Sequence, residues 1–218
     1  MKGLGDMDIR TITTKRRIQE GLFNLLKVRE FTKCNVNEIV EYAEISKRTF
    51  YAYYKGKHDL LNTIETQLLK GLKENLAIDR EKLTQIKHIP SAEEINKLAD
   101  IAFNNTIAYC NRNKTAFSGL LSQNGDIYFY KKVVKLGNQE INNRFPYLFQ
   151  EEMETENSLT LRFIRNIYVH GIIDILVLWG NSNNSIGIDD VKRLLGLVQT
   201  KSPVELMKLY QIEMDRFH

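Results

Sequence analysis

The stretch NVNEIVEYAEISKRTFYAYYKGKHDLL, residues 35–61, decides the fold of this chain. Asn35, followed three residues later by Glu38, has the pattern of a capping box, which begins a short helix. Ser46 is placed to cap a second short helix that is rich in Lys, Arg and Tyr. A Lys-Gly pair ends that helix, and Lys57 begins a third. Two short helices joined by a tight turn predict a helix-turn-helix, whose second helix carries side chains suited to base edges and phosphates.

Outside this stretch the hydrophobic period is that of helices throughout. We predict an all-α fold, with further helices at 13–29 (capped by Thr13 or Thr14), 93–112, 116–121, 126–145, 159–179, 189–198 and 203–217. The second short helix is expected to run from residue 47 to about 54. Pro146 is expected to close the helix predicted over residues 126–145. We predict a helix-turn-helix domain over residues 1–60, joined by a long fourth helix from Lys57 to a helical domain over 61–218.

Composition and charge are those of a soluble protein with a slightly basic N-terminal end. The 218 residues are 43% hydrophobic and 27% charged, with a net charge of +4. Residues 1–60 hold 12 basic and 8 acidic residues, while the remainder holds 19 of each. The whole positive excess therefore lies where a polyanion partner is expected. A surplus of four is small, so an ordinary solvated basic end explains it as well.

Several function classes lack their motifs in this chain. Cys34 and Cys110 stand far apart without metal-ligand spacing, so we expect two reduced, buried thiols. We find no catalytic triad order, phosphate-binding loop or dinucleotide fingerprint, and therefore expect neither an enzyme nor a cofactor or metal. The N-terminus has no apolar signal segment, and the most apolar run, residues 171–179, is too short for a bilayer and contains Asp174. We expect a cytoplasmic protein without membrane contact.

The opening stretch resembles the DNA-binding domain of TetR-family transcriptional regulators. The resemblance covers roughly residues 13–72 and rests on Ile39-Val40, Ala43-Glu44-Ile45-Ser46, Thr49-Phe50-Tyr51, Tyr54, and Lys57 with Leu60-Leu61. Helix order, caps and spacings all agree with the family pattern. The resemblance implies a DNA-binding regulator whose variable C-terminal helical domain binds an effector in some members and dimerises through its last two long helices.

The short Lys- and Arg-rich helix carries the predicted DNA contacts. Its first turn supplies three base-contacting side chains, Lys47, Arg48 and Thr49, since this end of a recognition helix enters the major groove. Phe50 and Tyr54 share a face and should pack inward. The side chains predicted to bind phosphate are Thr14, Lys15, Tyr51, Tyr53 and Lys57. For Tyr53, packing into the core is an equally good interpretation.

Two features depart from the family pattern. Glu44 stands in the turn, where the family usually has Gly; if a positive φ is needed there, a Glu costs on the order of 1 kcal/mol. Glu38, Glu41 and Glu44 also form an acidic line on the first short helix. This line would weaken DNA binding if it faced phosphate, so we expect it to face away or to pair with Arg or Lys.

The second half of the chain carries the predicted effector and dimer residues. The aromatic side chains predicted to line an effector pocket are Phe103, Tyr109, Phe117, Tyr128 and Tyr168; each also fits plain core or surface. The residues predicted to form a dimer interface are Ile164, Tyr168, Ile172, Ile175, Trp179, Leu194 and Leu197, unless the chain's own helices cover them. His170 and Asp174 lie four residues apart, which favours a hydrogen bond over a metal site because no third ligand is visible.

Together these observations favour a sequence-specific DNA-binding regulator. The form we expect is a homodimeric repressor that binds a palindromic operator in double-stranded DNA and is released by a small-molecule effector at the C-terminal domain. The alternative is a helical adaptor that kept the fold and lost DNA binding. Salt dependence separates the two, since phosphate contacts make affinity fall steeply with salt.

Overall fold

The structure is a computed structural model that describes residues 4–149, 158–182 and 185–215. The described residues contain no strand, which confirms the all-α prediction. Their helices are α1 (Leu4–Leu26), α2 (Val36–Tyr42), α3 (Lys47–Tyr51), α4 (Lys57–Glu81), α5 (Ala92–Ala102), α6 (Asn104–Arg112), α7 (Lys114–Leu121), α8 (Ile127–Phe149), α9 (Leu159–Asn181), α10 (Ile188–Thr200) and α11 (Pro203–Asp215). Short 3-10 turns lie at Phe31–Lys33 and Lys82–Gln85. Within the described ranges, no helix is both long and apolar enough to cross a membrane.

The chain divides into two compact units that are not continuous in sequence. Unit 1 comprises Met1–Gly71 and Asn113–Lys131, and unit 2 comprises Leu72–Arg112 and Lys132–His218. Helix α4 therefore contributes its first part to unit 1 and its last part to unit 2. The division into functional domains at residue 60 stays a prediction.

Unit 1 encloses a core made by α1 to α4 together with α7 and the start of α8. Its most deeply buried side chains come from all of these elements: Ile18, Leu22, Leu26, Ile39, Phe50, Leu60, Phe117, Leu120 and Phe129. Asn124, in the turn after α7, ties this segment to the end of α1. Its side-chain amide donates to the carbonyl of Leu26 at 3.0 Å, and its own carbonyl accepts from the amide of Phe31 at 2.8 Å. Residues far apart in sequence thus share one core.

Unit 2 has its own core, in which α9 has one buried and one exposed side. Val169, Ile173, Ile175 and Trp179 are buried, and the indole of Trp179 donates to the carbonyl of Ile186 at 3.1 Å. The opposite side of α9 is exposed and apolar, carrying Leu159, Phe163, Ile164, Ile167 and Leu178. The described residues of unit 2 therefore cover only one side of this helix.

Three of the predicted helices begin or end at the wrong residue. Helix α1 begins at Leu4 rather than at Thr13, and the Thr14 hydroxyl bonds back to the carbonyl of Arg10 inside the helix instead of capping it. Helix α3 ends at Tyr51, several residues before the predicted end. Helix α8 continues through Pro146 to Phe149, where the rings of Phe145 and Phe149 pack with centroids 4.5 Å apart and support the last turn. The predicted end of the final helix, residues 216–217, lies outside the described residues.

The predicted helix over 93–112 is two helices, and a distant carboxylate explains the break. Asp79, at the end of α4, is fully buried. Its oxygens accept from the backbone and side-chain amides of Asn105 at 3.0 and 2.8 Å, and from the amide and hydroxyl of Thr106, both at 2.8 Å. The two backbone amides belong to the first turn of α6, where they would otherwise lack hydrogen-bond partners. The carboxylate therefore acts as a cap supplied by another helix.

Both cysteines are buried and unpaired, as the sequence predicted. Burial raises the pKa of the Cys34 thiol, and the Glu38 carboxylate adds to the effect. Burial alone raises the pKa of Cys110 to about 12. A thiol with a raised pKa is protonated at neutral pH and therefore a poor nucleophile.

Candidate nucleic-acid interface

The candidate interface is the start of α3, held by a close crossing of α1 and α2. The capping box that begins α2 is present, with Asn35 and Glu38 bonded to each other's backbone amides at 3.1 and 3.0 Å. Gly21 of α1 faces Ala43 at the end of α2, and a Cβ added at Gly21 would lie 2.8 Å from the Cβ of Ala43. Only glycine permits backbones to approach so closely. The crossing sets the position of α2 and, through the turn, of α3.

Helix α3 is capped as predicted and presents two cations. The Ser46 hydroxyl accepts from the amide of Thr49 at 3.0 Å and lies 2.8 Å from the Thr49 hydroxyl. Lys47 and Arg48 are exposed, and no described residue forms an ion pair with either. Thr49 is half-buried beside them. A guanidinium and an ammonium projecting from the first turn can donate to guanine O6 and N7 in a major groove.

The inner face of α3 is also as predicted. Phe50 is fully buried and Tyr54 is buried, with ring centroids 5.8 Å apart. Burial raises the pKa of the Tyr54 hydroxyl, so this group stays neutral in the core. Tyr51 remains 56% exposed, with its ring edge-on to Phe50. The helix thus separates an anchoring side from a side that is open to a ligand.

The other predicted phosphate contacts lie in different settings. Lys15 is exposed, and its ammonium lies 5.8 Å from the centre of the half-buried Tyr53 ring. This pair places a cation and a hydroxyl-bearing ring side by side. Thr14 is half-buried, and its hydroxyl is already engaged with the carbonyl of Arg10. Lys15, Tyr51 and Tyr53 are therefore the members of the predicted set that the structure leaves best placed to bind phosphate.

Lys57 makes three hydrogen bonds to the backbone. Its ammonium donates to the carbonyls of Phe31 at 3.0 Å, Thr32 at 3.0 Å and Cys34 at 2.7 Å. An ammonium has three donors, so these bonds use all of them. The side chain ties the start of α4 to the 3-10 turn between α1 and α2. Its predicted contact with phosphate is untested, and such a contact would have to replace one of these bonds.

Glu44 has the backbone conformation that glycine favours. Its φ is 50°, and it is the one residue other than glycine with a positive φ in the described part of the chain. Arg17 of α1 donates to its carbonyl at 2.9 Å and to its carboxylate at 3.3 Å. Arg29 likewise pairs with Glu38. Two of the three acids, Glu38 in α2 and Glu44 in the turn that follows, are thus paired with arginines, as expected, while Glu41 is exposed.

Replacing Glu44 with glycine is expected to raise the free energy of unfolding by about 1 kcal/mol. The change removes the steric cost of a side chain at positive φ. The Arg17 bond to the carbonyl at this position is retained, and a negative charge near the interface is lost. DNA affinity should therefore rise as well. Urea denaturation and fluorescence anisotropy test both effects, with Glu41→Gln as the control that removes a charge without changing the backbone. Equal stability of Glu44→Gly and the parent would show that the turn is unstrained.

The predicted ligand residues do not form one group. Phe103 and Tyr168 line the same cavity in unit 2. Phe117 belongs to the core of unit 1, where it packs on Phe129 with centroids 6.2 Å apart. Tyr128 is exposed beneath Lys131, and Tyr109 is half-buried with a raised pKa caused by burial. The aromatic residues alone could not reveal which of them share a cavity.

The predicted dimer residues also separate. Ile164 is exposed, whereas Ile175 and Trp179 are buried in the core of unit 2. The others are half-buried: Tyr168, Ile172, Leu194 and Leu197. His170 is half-buried and Asp174 is exposed. No group of three or more metal-ligating side chains occurs among the described residues.

Sequence reasoning missed five residues that contribute to these sites. Gly21 and Asp79 matter through partners distant in sequence, so no local pattern marks them. Arg144 and Glu140 carried a signal, because an acid and a base four residues apart on a largely apolar helix are candidates for an ion pair. The position of Arg17 opposite the turn was not foreseeable.

A serine-capped helix with exposed Lys and Arg at its start, anchored on two other helices, defines a helix-turn-helix DNA-binding domain. Residues 20–64 match the family model described as bacterial regulatory proteins, tetR family. This part of the chain is therefore similar to the DNA-binding domain of TetR-family proteins, which supports a DNA-binding transcriptional regulator. No curated protein matches the chain in sequence.

Several solved structures are similar in fold. One is a TetR transcriptional regulator from Streptococcus agalactiae 2603V, with 19% identity over 90% of this chain and 99% of that one and a TM-score of 0.49. A second is the fatty acid degradation regulator FadR from Bacillus halodurans, with 14% identity, coverage of 85% and 94%, and a TM-score of 0.49. A third is the dihydroxyacetone kinase operon activator DhaS, with 16% identity, coverage of 93% and 98%, and a TM-score of 0.40. The similarity to the TetR family rests on the sequence match and not on these structures.

Proposed function

We propose that this regulator is a homodimeric repressor that binds a palindromic operator through α3 and leaves it when a small molecule binds in unit 2. The observation that carries the DNA-reading part is the exposure of Lys47 and Arg48 on the capped first turn of α3. Lys15, Tyr51 and Tyr53 flank this turn in unit 1 as candidate phosphate ligands. The arrangement separates base reading from backbone positioning, as sequence-specific binding requires.

The dimer proposal is supported by the exposed side of α9. Phe163, Ile164, Ile167 and Leu178 are each more than half exposed. Four large apolar side chains on one helix face favour burial against a partner. In a two-fold dimer the same face meets its own copy, which matches the symmetry of a palindrome. Since Ile175 and Trp179 already serve the core of unit 2, the proposed interface is shifted toward these four residues.

The effector proposal is supported by a cavity in unit 2 and by the course of α4. Leu72 and Leu76, on the second part of α4, line the cavity. The first part of the same helix belongs to unit 1, which carries α3. A ligand that binds one arrangement of α4 better than another shifts the population of DNA-binding molecules by its difference in affinity for the two.

The test of this proposal is selection of DNA fragments from a random pool by the purified protein at two salt concentrations. We expect enrichment of a palindrome, with weaker recovery at the higher salt because phosphate contacts release counterions. Enrichment of a single half-site would contradict the dimer. No enrichment at either salt would contradict DNA reading and favour the adaptor alternative. A reporter gene placed behind the selected site then decides between repression and activation.

Two substitutions separate base contacts from phosphate contacts. Arg48→Ala is expected to cost about 1–3 kcal/mol on the selected site and to relax the preference at one position of each half-site. Lys15→Ala is expected to weaken binding to every sequence about equally and to reduce the slope of log affinity against log salt by about one per subunit. Binding isotherms on matched and mismatched sites measure both effects. If the two variants behave alike on both kinds of site, the assigned roles are wrong.

A further inference from the structure

Unit 2 contains a cavity of about 80 Å³ lined by residues of α4, α6, α8, α9 and α10 and by Phe103, which lies between α5 and α6. Most of the lining is aliphatic, contributed by Leu, Ile and Val side chains of these helices. Four lining residues carry polar side-chain groups: Thr106, Glu140, Arg144 and Tyr168. The Thr106 hydroxyl already donates to Asp79 at 2.8 Å. The groups left to recognise a ligand are therefore the Glu140–Arg144 ion pair and the phenol of Tyr168.

The ion pair belongs to a buried cluster with an unbalanced charge. Arg144 is 6% exposed and Glu140 7% exposed. Glu140 accepts from the Nε of Arg144 at 2.7 Å and also pairs with Arg80. Two guanidinium groups thus share one carboxylate, which leaves one positive charge in excess. The Arg80 side chain is 25% exposed, so water solvates part of the excess charge, and a second carboxylate beside Arg144 would bring the cluster to neutrality.

Arg144 retains donors for such a group. A guanidinium has five N–H donors. Described acceptors take two of them: Glu140 at Nε, and the carbonyl of Ala102 at Nη2, at 3.0 Å. The guanidinium also lies over the ring of Phe103, 4.3 Å from its centroid, which fixes its plane. A planar, fixed guanidinium is the group best suited to bind a carboxylate through two parallel bonds.

Tyr168 adds a neutral donor. Burial raises the pKa of its hydroxyl to about 12; the positive charge of Arg144 opposes the shift, and the negative charge of Glu140 adds to it. The phenol is therefore protonated at neutral pH and can donate to an anion. Tyr168 lines the same cavity as Arg144 and Glu140, and most of the other lining residues are aliphatic.

The volume limits the size of the ligand. A water-sized group needs about 10–15 Å³ of such a cavity. The space present therefore admits roughly five to eight non-hydrogen atoms. Short carboxylic acids of four or five carbons, straight or branched, have this size and combine an apolar body with one anionic end.

We infer that unit 2 binds a short aliphatic carboxylic acid, with its carboxylate on Arg144 and Tyr168 and its chain among the aliphatic side chains of the cavity. This inference deepens the proposed function by naming the class of its effector, and its effector role rests on that function. The binding itself is a property of unit 2 and does not require DNA. The two can therefore fail separately.

The experiment is calorimetric titration of the full chain, without DNA, with 3-methylbutanoate and with 3-methylbutanamide. The two probes have the same shape and differ in charge. We expect the acid to bind at least about tenfold more tightly than the amide, because only the acid neutralises the cluster. Equal affinity for both, or binding of neither, would overturn the inference.

Two variants locate the binding. Arg144→Met should abolish the preference for the acid, but it breaks a buried ion pair and needs a folding check by circular dichroism. Ile172→Phe adds volume to the cavity wall and leaves the charges in place, so it should remove binding of the acid in a folded protein. Ile78→Phe, on an exposed position of α4 outside the cavity, is the matched control and should bind as the parent does. Unchanged binding by Ile172→Phe would overturn the assignment to this cavity.

Release of the selected DNA by the acid is measured separately. If the acid binds with the expected preference but does not release DNA, the ligand assignment stands and its role as effector is wrong. If the protein selects a palindrome but binds neither probe, DNA reading stands and the ligand assignment is wrong.

Discussion

Replacing Gly21 with alanine is expected to lower the free energy of unfolding by about 3 kcal/mol and to weaken DNA binding. The added Cβ would lie 2.8 Å from the Cβ and the amide nitrogen of Ala43, and 2.9 Å from the carbonyl of Ile39. None of these atoms can rotate away, so α2 must shift relative to α1. Overpacking of this kind typically costs about 1–3 kcal/mol, and here it also disturbs the hydrogen bond between the Ala43 amide and the Ile39 carbonyl.

The matched control for this change is Gly119→Ala in α7. A Cβ at Gly119 would have its nearest neighbour, Cδ1 of Phe23, at 3.6 Å, an ordinary van der Waals distance. Alanine inside a helix is favoured over glycine, so this variant should be stable or slightly stabilised, by up to about 1 kcal/mol. Urea denaturation followed by circular dichroism compares the two. A Gly21→Ala protein as stable as its control would show that the crossing of α1 and α2 tolerates a larger separation.

Replacing Asp79 with alanine is expected to lower the free energy of unfolding by about 4 kcal/mol. The carboxylate is fully buried and accepts four hydrogen bonds from Asn105 and Thr106. Its removal leaves buried donors at the start of α6 without a partner, and each such group costs about 1–3 kcal/mol. Asp126→Ala is the control, since Asp126 makes one capping bond at the start of α8, to the amide of Phe129 at 2.9 Å. That variant should lose only about 1 kcal/mol.

The contribution of Asp79 should also depend on pH. Burial by itself raises the pKa of this carboxyl, but the four hydrogen bonds outweigh burial and leave the pKa below its usual value. A carboxyl with a depressed folded-state pKa stabilises the fold above its unfolded-state pKa of about 3.9, and this stabilisation is lost as pH falls through the folded-state pKa. The stability difference between the parent and Asp79→Asn should therefore shrink below about pH 4. A constant difference from pH 7 to pH 3 would contradict the assignment.

Structural features that depend on residues close together in the sequence could be predicted. Asn35 and Ser46 cap helices through amides three residues away, so their roles follow from the local sequence alone. The inward packing of Phe50 and Tyr54 follows from helical period. The positive φ of Glu44 followed from comparing the turn with a known pattern. In each case the deciding partner lies within a few residues.

Features that depend on distant partners could not be predicted. The break between α5 and α6 is set by a carboxylate 26 residues before Asn105, and periodicity alone read the segment as one helix. Lys57 was assigned to phosphate from its position, while in the structure its ammonium binds three carbonyls that precede it by 23 to 26 residues. Of the aromatic residues proposed for a ligand, Phe103 and Tyr168 line one cavity of unit 2, while Phe117 and Tyr128 belong to unit 1. Which side chains converge is a property of packing.

Local chemistry was thus enough to establish an all-α chain with a capped helix-turn-helix near its N-terminus and the family to which that motif belongs. Those properties depend on hydrogen bonds and periods that span one or two turns of helix. Folding into units decided the rest: that residues 113–131 join unit 1, that Glu140 pairs with both Arg80 and Arg144, and that one side of α9 stays exposed. These properties depend on which surfaces pack against each other in the folded protein. The spacing of residues along the sequence does not predict that packing.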